Sequence, residues 1–177
     1  MLTRWLAVVV LAACLPAAGA ATTAKDPGAL VLTRADLPVG ARPVAKETGA
    51  AAALGFIYVQ SAKSAFVAAR RYAIEYRLPT KQVYTAAYVF GSVQAADAAL
   101  TALRRVLDYT NRRVKLPRLG DAQITTYVNA DALQHRFMVR RGNVVWRLDV
   151  VDWDARSRSS SSAEAFALAR KQQARVG

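Results

Sequence analysis

Few residues in this chain could do chemistry. His135 is the sole histidine. A metal centre needs several ligands and a nucleophile-base relay needs a third, orienting group, so a lone histidine beside Val150 on an apolar strand face reads as a packing residue. Asp149, Asp152 and Asp154 crowd together as the carboxylates of a calcium loop would. No glutamate follows at the closing position, and Arg147, Trp153 and Arg156 interrupt the set, so a solvated strand end is expected instead. There is no G-x-S-x-G, no phosphate-cradling lysine loop and no H-E-x-x-H. The expectation is therefore no catalytic residue, no cofactor and no metal. A chain so poor in acid-base groups in apolar settings favours binding over catalysis.

What the chain has in quantity is positive charge: 25 Lys and Arg against 12 Asp and Glu, a balance of +13. Arg104, Arg105, Arg112, Arg113, Lys115 and Arg118 cluster at one helix end and the loop after it. Within this set Arg112, Arg113, Lys115 and Arg118 form a candidate anion patch for lipid headgroups, a phosphate-rich wall polymer or an acidic protein. The plainer reading is a solvated loop whose arginines cap helix carbonyls, in a chain whose Arg and Ala usage reflects a GC-rich genome. Nucleic acid is not an expected partner, because no binding motif accompanies the charge and the chain carries an export signal.

That signal is residues 1–20: Arg4, an apolar run from Leu6 to Leu15, Pro16, then Ala18-Gly19-Ala20 as a cleavage site. About ten apolar residues are too few to span a bilayer, which takes about 20. Leu11-Ala12-Ala13-Cys14 offers a competing cut of the lipoprotein type, with Cys14 lipidated. Both routes stay open, and both leave an exported domain without cysteine, hence without a disulfide. Removing residues 1–20 removes Arg4 and no acid, so the mature balance is +12. Residues 21–29 read as a flexible tether and residues 30–177 as one domain.

The elements follow from periodicity. Leu133 to Trp153 holds two alternating apolar runs around Gly142-Asn143, a two-residue loop suited to a primed hairpin turn. The turn sets Arg141 opposite Val144, hence Val139 opposite Trp146, Phe137 opposite Leu148 and His135 opposite Val150 on a buried face. The opposite face, with Met138 beside Arg147 and Arg136 beside Asp149, reads as a mixed surface carrying a cross-strand ion pair. Phe66 to Leu78 and Gln82 to Phe90 form a second hairpin. Val93 to Leu107 is an amphipathic helix capped by Ser92. Ala122 to Val128 is a further strand, and the last helix opens on a Ser161 and Glu164 capping box. Residues 41–64 show no clear pattern. The fold class is α+β: one antiparallel sheet of about five strands, in the order β-β-α-β-β-β-α, with both helices on one face. Tyr72, Tyr76, Tyr84 and Tyr88 are expected to line a pocket between helix and sheet.

The segments LVLTRADLPVG, VYTAAYVFGSVQAADAALTAL, LPRLGDAQ and VRRGNVVWRLDVV resemble small exported bacterial envelope proteins and lipoproteins of unknown function. Some of these have a PsbP-like antiparallel sheet flanked by helices. The resemblance runs over roughly Leu30 to Val176 and rests on turn and packing motifs. It implies an exported, non-enzymatic envelope domain that binds a ligand, an anionic envelope component or a protein partner. A structural domain without a ligand and an enzyme of unrecognised type are the alternatives.

Overall fold

The computed structural model describes residues 25–48, 60–107, 112–113, 116–129, 133–153 and 162–177. The signal segment, Cys14, Lys115, Asp154 and Ser161 lie outside these residues, as do residues 49–59 of the patternless stretch. Every strand belongs to one antiparallel sheet. Its strands are β1 (Arg42–Thr48), β2 (Arg70–Arg77), β3 (Lys81–Val89), β4 (Arg112–Arg113), β5 (Ala122–Asn129), β6 (Leu133–Arg141) and β7 (Val144–Asp152), with α1 (Gln60–Val67), α2 (Val93–Leu107) and α3 (Ser162–Val176) as helices. The spatial order is β1-β2-β3-β7-β6-β5-β4. Among the described residues the sheet thus has six full strands and a two-residue edge strand, with three α-helices, where about five strands and two helices were expected. The additions are β1, β4 and α1. Among these β1 is an exposed edge with little apolar content, so no alternation announced it.

The hairpin register is the expected one: Arg141 pairs with Val144, Val139 with Trp146, Phe137 with Leu148 and His135 with Val150. Gly142 takes φ 55°, a conformation side chains disfavour. The Asn143 amide donates to the Phe90 carbonyl at 2.7 Å, and the Phe90 N–H donates back to the Asn143 carbonyl at 3.0 Å. The turn is thereby tied to the end of β3.

The expectation of both helices on one face is corrected. Val83, Ala87, Phe137, Val139, Trp146, Leu148 and Val150 face Leu168, Ala169 and Val176 of α3, together with Leu30, Val31 and Leu32. On the other face Ala73, Ala86, Tyr88, Ile124, Met138 and Val145 meet Phe66 of α1 and Ala96, Ala99, Leu100 and Leu103 of α2. The sheet is covered on both sides because its second face, though interrupted by arginines, alternates enough small and apolar residues to bury the stripe of α2.

Two glutamines fasten α3. Gln172 accepts from the Thr85 hydroxyl at 2.9 Å and donates to the Ala86 carbonyl at 3.1 Å, and Gln173 accepts from the Trp146 indole N–H at 3.0 Å. Part of the expected tether also belongs to the fold. Pro27–Leu30 is a 3-10 turn with Pro27 buried, and Lys25 donates to the Val176 carbonyl at 2.6 Å.

Candidate functional site

The antiparallel register sorts the second sheet face into rows of laterally paired residues. One row is apolar apart from its arginine: Ala73, Ala86, Arg147, Met138 and Ile124. The next is polar throughout: Glu75, Tyr84, Asp149, Arg136 and Thr126, with Arg113 of β4 at the adjoining register position. The second row lies beyond the apolar cluster made with α1 and α2, which is why polar side chains are tolerated there.

Asp149 is the centre of the row. Its carboxylate accepts from Arg136 Nε at 3.1 Å and Arg136 Nη2 at 3.0 Å, and from Arg147 Nε at 3.0 Å and Arg147 Nη2. Gln134 Nε2 adds a donor at 3.1 Å. The Arg147 guanidinium also lies over the Tyr84 ring, 4.5 Å from its centroid. The electrostatics follow from this geometry. Burial acts to raise the Asp149 pKa, but the charges and hydrogen bonds of Arg147 and Arg136 outweigh it and hold it down to about 2. Burial pushes the Tyr84 phenol up to about 12, against the pull of the Arg147 charge. Neither Asp149 nor Tyr84 exchanges a proton near neutral pH. What the row can do is present guanidinium donors whose planes are fixed by a shared carboxylate. Arg136 reaches the surface, with 15% of its side chain exposed against 4% for Asp149. Gln134, Tyr84 and Glu75 beside it are half-buried.

A third guanidinium lies two rows away, beyond the Ala73–Ala86–Arg147 row, where Arg71 pairs with Tyr88. Arg71 is buried, donates from Nη2 to the Val67 carbonyl at 3.3 Å, and has no hydrogen-bond partner at Nε or Nη1. Burial lowers its pKa. The Thr126 hydroxyl, also buried, has none either.

The expected solvated strand end is overturned: Asp149 and Asp152 are 3% and 0% exposed. Their charge made them look like surface, whereas pairing is what permits them inside. Among the described residues no three His, Cys, Asp or Glu side chains group as metal ligands. His135 is packed as expected, 2% exposed on the α3 face, and burial lowers its pKa. The four tyrosines do not share a pocket, because strand alternation sends Tyr72 and Tyr76 to the α3 face and Tyr84 and Tyr88 to the other. Of the anticipated anion patch, Arg112 and Arg113 form β4 at the sheet's edge. Arg118 is exposed, but its Nε donates to the Gly120 carbonyl at 2.8 Å and its Nη2 to the Asp121 carbonyl, so it braces its own loop. Arg136 and Asp149 had been legible only as an exposed cross-strand ion pair, with Arg147 beside Met138 on the same mixed surface. The missing information was that α1 and α2 cover that face.

No protein-family model matches the chain. No curated protein matches it by sequence. Among solved structures it is similar to the extracellular domain of PknH from Mycobacterium tuberculosis, with a TM-score of 0.61 and 14% identity over 85% of this chain and 94% of that one. The likeness concerns the fold. It does not carry the PsbP-like grouping. No helix among the described residues is long and apolar enough to cross a membrane.

Proposed function

We propose that this chain is an exported, non-enzymatic envelope domain that binds an anionic ligand at the Tyr84–Asp149–Arg136 row. One observation carries the reading: Asp149, buried, orients two guanidiniums at once, and one of them, Arg136, reaches the surface. Arginine held in this way recognises phosphate or carboxylate with little ordering left to do on binding. Two further features support it. Asp149 and Tyr84 stay in one charge state across the neutral range, which suits binding rather than proton transfer. The edge strand Arg112–Arg113, in register with Tyr127 and Thr126, extends the row toward the outside and joins it to the basic loop that includes Lys115 and Arg118. Export as a soluble or lipid-anchored chain, by cleavage after Ala20 or before Cys14, places such a site among anionic wall polymers and headgroups.

The test is a titration of the exported chain with inorganic phosphate and with glycerol phosphate, using glucose as the neutral control. Amide shift changes should centre on Gln134, Arg136 and Tyr84 for both anions and be absent for glucose. Arg136→Gln should weaken binding at least tenfold with the fold retained. Shift changes spread evenly over the basic surface, or unaffected by Arg136→Gln, would remove the assignment.

A further inference from the structure

The end of the sheet where β2 leads into β3 has an unusual surface. Arg42 pairs with Arg77, Arg77 with Gln82, and Lys81 with Asp152. The turn before β1, the turn between β2 and β3 and the residue after β7 therefore emerge at one end. The first presents Val39, wholly exposed after exposed Pro38, and the last presents Trp153, 56% exposed. Pro79 and Thr80 of the middle turn are exposed between them. One exposed aliphatic would mean nothing. An exposed indole and an exposed valine at the same end, both on braced backbone, call for an account.

The bracing is explicit. Trp153 N–H donates to the Thr80 carbonyl at 2.9 Å. In the 3-10 turn Arg34–Asp36, the Asp36 carboxylate accepts from Thr33 N–H at 2.7 Å, from the Thr33 hydroxyl at 2.8 Å and from Arg175 Nη2 at 2.6 Å. Lys171 donates to the Asp36 carbonyl at 2.7 Å, and Leu37 is buried. Gly40 leaves the turn at φ 95°. Val39 is thus held out on a turn locked to α3.

Among the described residues the charge of this end is mainly positive. Arg34, Arg42 and Arg77 are exposed, Arg77 with half-buried Glu75 4.0 Å away, whereas Asp36 is paired with Arg175 and Glu164 with Lys81 at 2.6 Å. Indole rings sit at the headgroup level of bilayers, and cations are drawn to anionic leaflets, roughly fivefold in affinity per residue. A protein partner would require a larger contiguous apolar patch or groove. Two separated apolar groups set among cations fit a headgroup layer instead.

We propose that the end of the sheet bearing Pro38-Val39, Pro79-Thr80 and Trp153 docks on an anionic bilayer surface, with Val39 and Trp153 entering the interface and Arg34, Arg42 and Arg77 meeting phosphates. This contact is separate from the Arg136 row, which lies on the face covered by α1 and α2.

The experiment uses the exported chain with Cys14→Ser, so that no attached lipid contributes, and vesicles of phosphatidylcholine with and without phosphatidylglycerol. The parent should bind the anionic vesicles, release as salt rises, and show indole emission quenched by brominated acyl chains. Val39→Asp with Trp153→Ala should weaken binding at least tenfold at unchanged melting temperature, because both side chains are exposed. Changing Arg104 and Arg105 of α2, outside both sites, to Gln should stay within about threefold of the parent, and the fourfold change of Arg112, Arg113, Lys115 and Arg118 to Gln should weaken binding less than the Val39 and Trp153 double variant does. Failure of the parent to bind anionic vesicles at low salt overturns the proposal, as does equal binding by the Val39 and Trp153 double variant. Loss confined to the fourfold variant would assign docking to the basic loop and overturn it too.

Discussion

At the scale of single residues, Asp149 shows how a carboxylate becomes part of a core. Desolvating it alone would be prohibitive, and Arg147 beneath it is itself buried, so each is tolerable only because of the other. Asp149→Asn should therefore lower stability by about 3–5 kcal/mol in urea unfolding, since Arg147 would keep its charge without its counter-ion. Arg136→Gln should cost about 1 kcal/mol, because Asp149 keeps Arg147 as its counter-ion and the partner lost is the one that reaches the surface. Equal losses from the two would mean that both arginines are equally desolvated. Trp146 is the apolar counterpart, fully buried with its indole N–H satisfied by Gln173. Its replacement by alanine should cost about 3–5 kcal/mol, and a shift far smaller would show that the site collapses around the cavity.

At the scale of elements, the loop Leu119-Gly120-Asp121 explains a motif that sequence alone presented as a bare pattern. A Cβ at Gly120 would stand 2.5 Å from the Arg140 carbonyl oxygen and 2.6 Å from Val139 Cγ1. The residue is glycine because the loop presses on β6. Asp121 then accepts from Gly142 N–H at 2.8 Å and Arg140 Nη1 at 3.1 Å, while Arg140 Nε reaches Asp97 of α2 at 3.1 Å. The loop, the hairpin turn and α2 are locked through one arginine. Gly120→Ala should destabilise by about 1–3 kcal/mol through forced displacement of β6. Gly91→Ala, where nothing stands within 4 Å, should lie within about 0.5 kcal/mol of the parent. Matched melting curves of the two variants would contradict the close approach.

At the scale of the whole molecule, the titrating groups inside the fold point in one direction. The Asp149 and Asp36 pKa values are depressed on folding, so each contributes stability that is complete above the ordinary aspartate range and is lost as pH falls through it. His135 is held neutral by burial, so its contribution is full above about pH 6.5 and declines below, as the unfolded chain takes up a proton that the fold refuses. The melting temperature should therefore rise from pH 3 to pH 7, with Asp149 alone worth about 1 kcal/mol over that span. His135→Gln should flatten the part between pH 5 and 7, and an unchanged slope there would remove histidine from the account.

The hairpin register, the α2 cap and its stripe, the β2–β3 hairpin and the packed state of His135 were all readable from order along the chain, because each is set by neighbours two to four residues away or by a two-residue turn. The second buried face was not. Whether Arg136, Arg147 and Asp149 meet water or a helix depends on where α1 and α2 land, and an alternating strand has the same pattern in both cases. Nor could local order show β1, which joins the sheet through the Arg42-to-Thr48 ladder alone, or divide the four tyrosines between opposite faces of one sheet. Sequence by itself determined the periods, the turns and the excess of positive charge. Only tertiary structure decided which charges are buried and paired, and which stand exposed at one end of the sheet, because burial belongs to the packing of distant segments and not to any one of them.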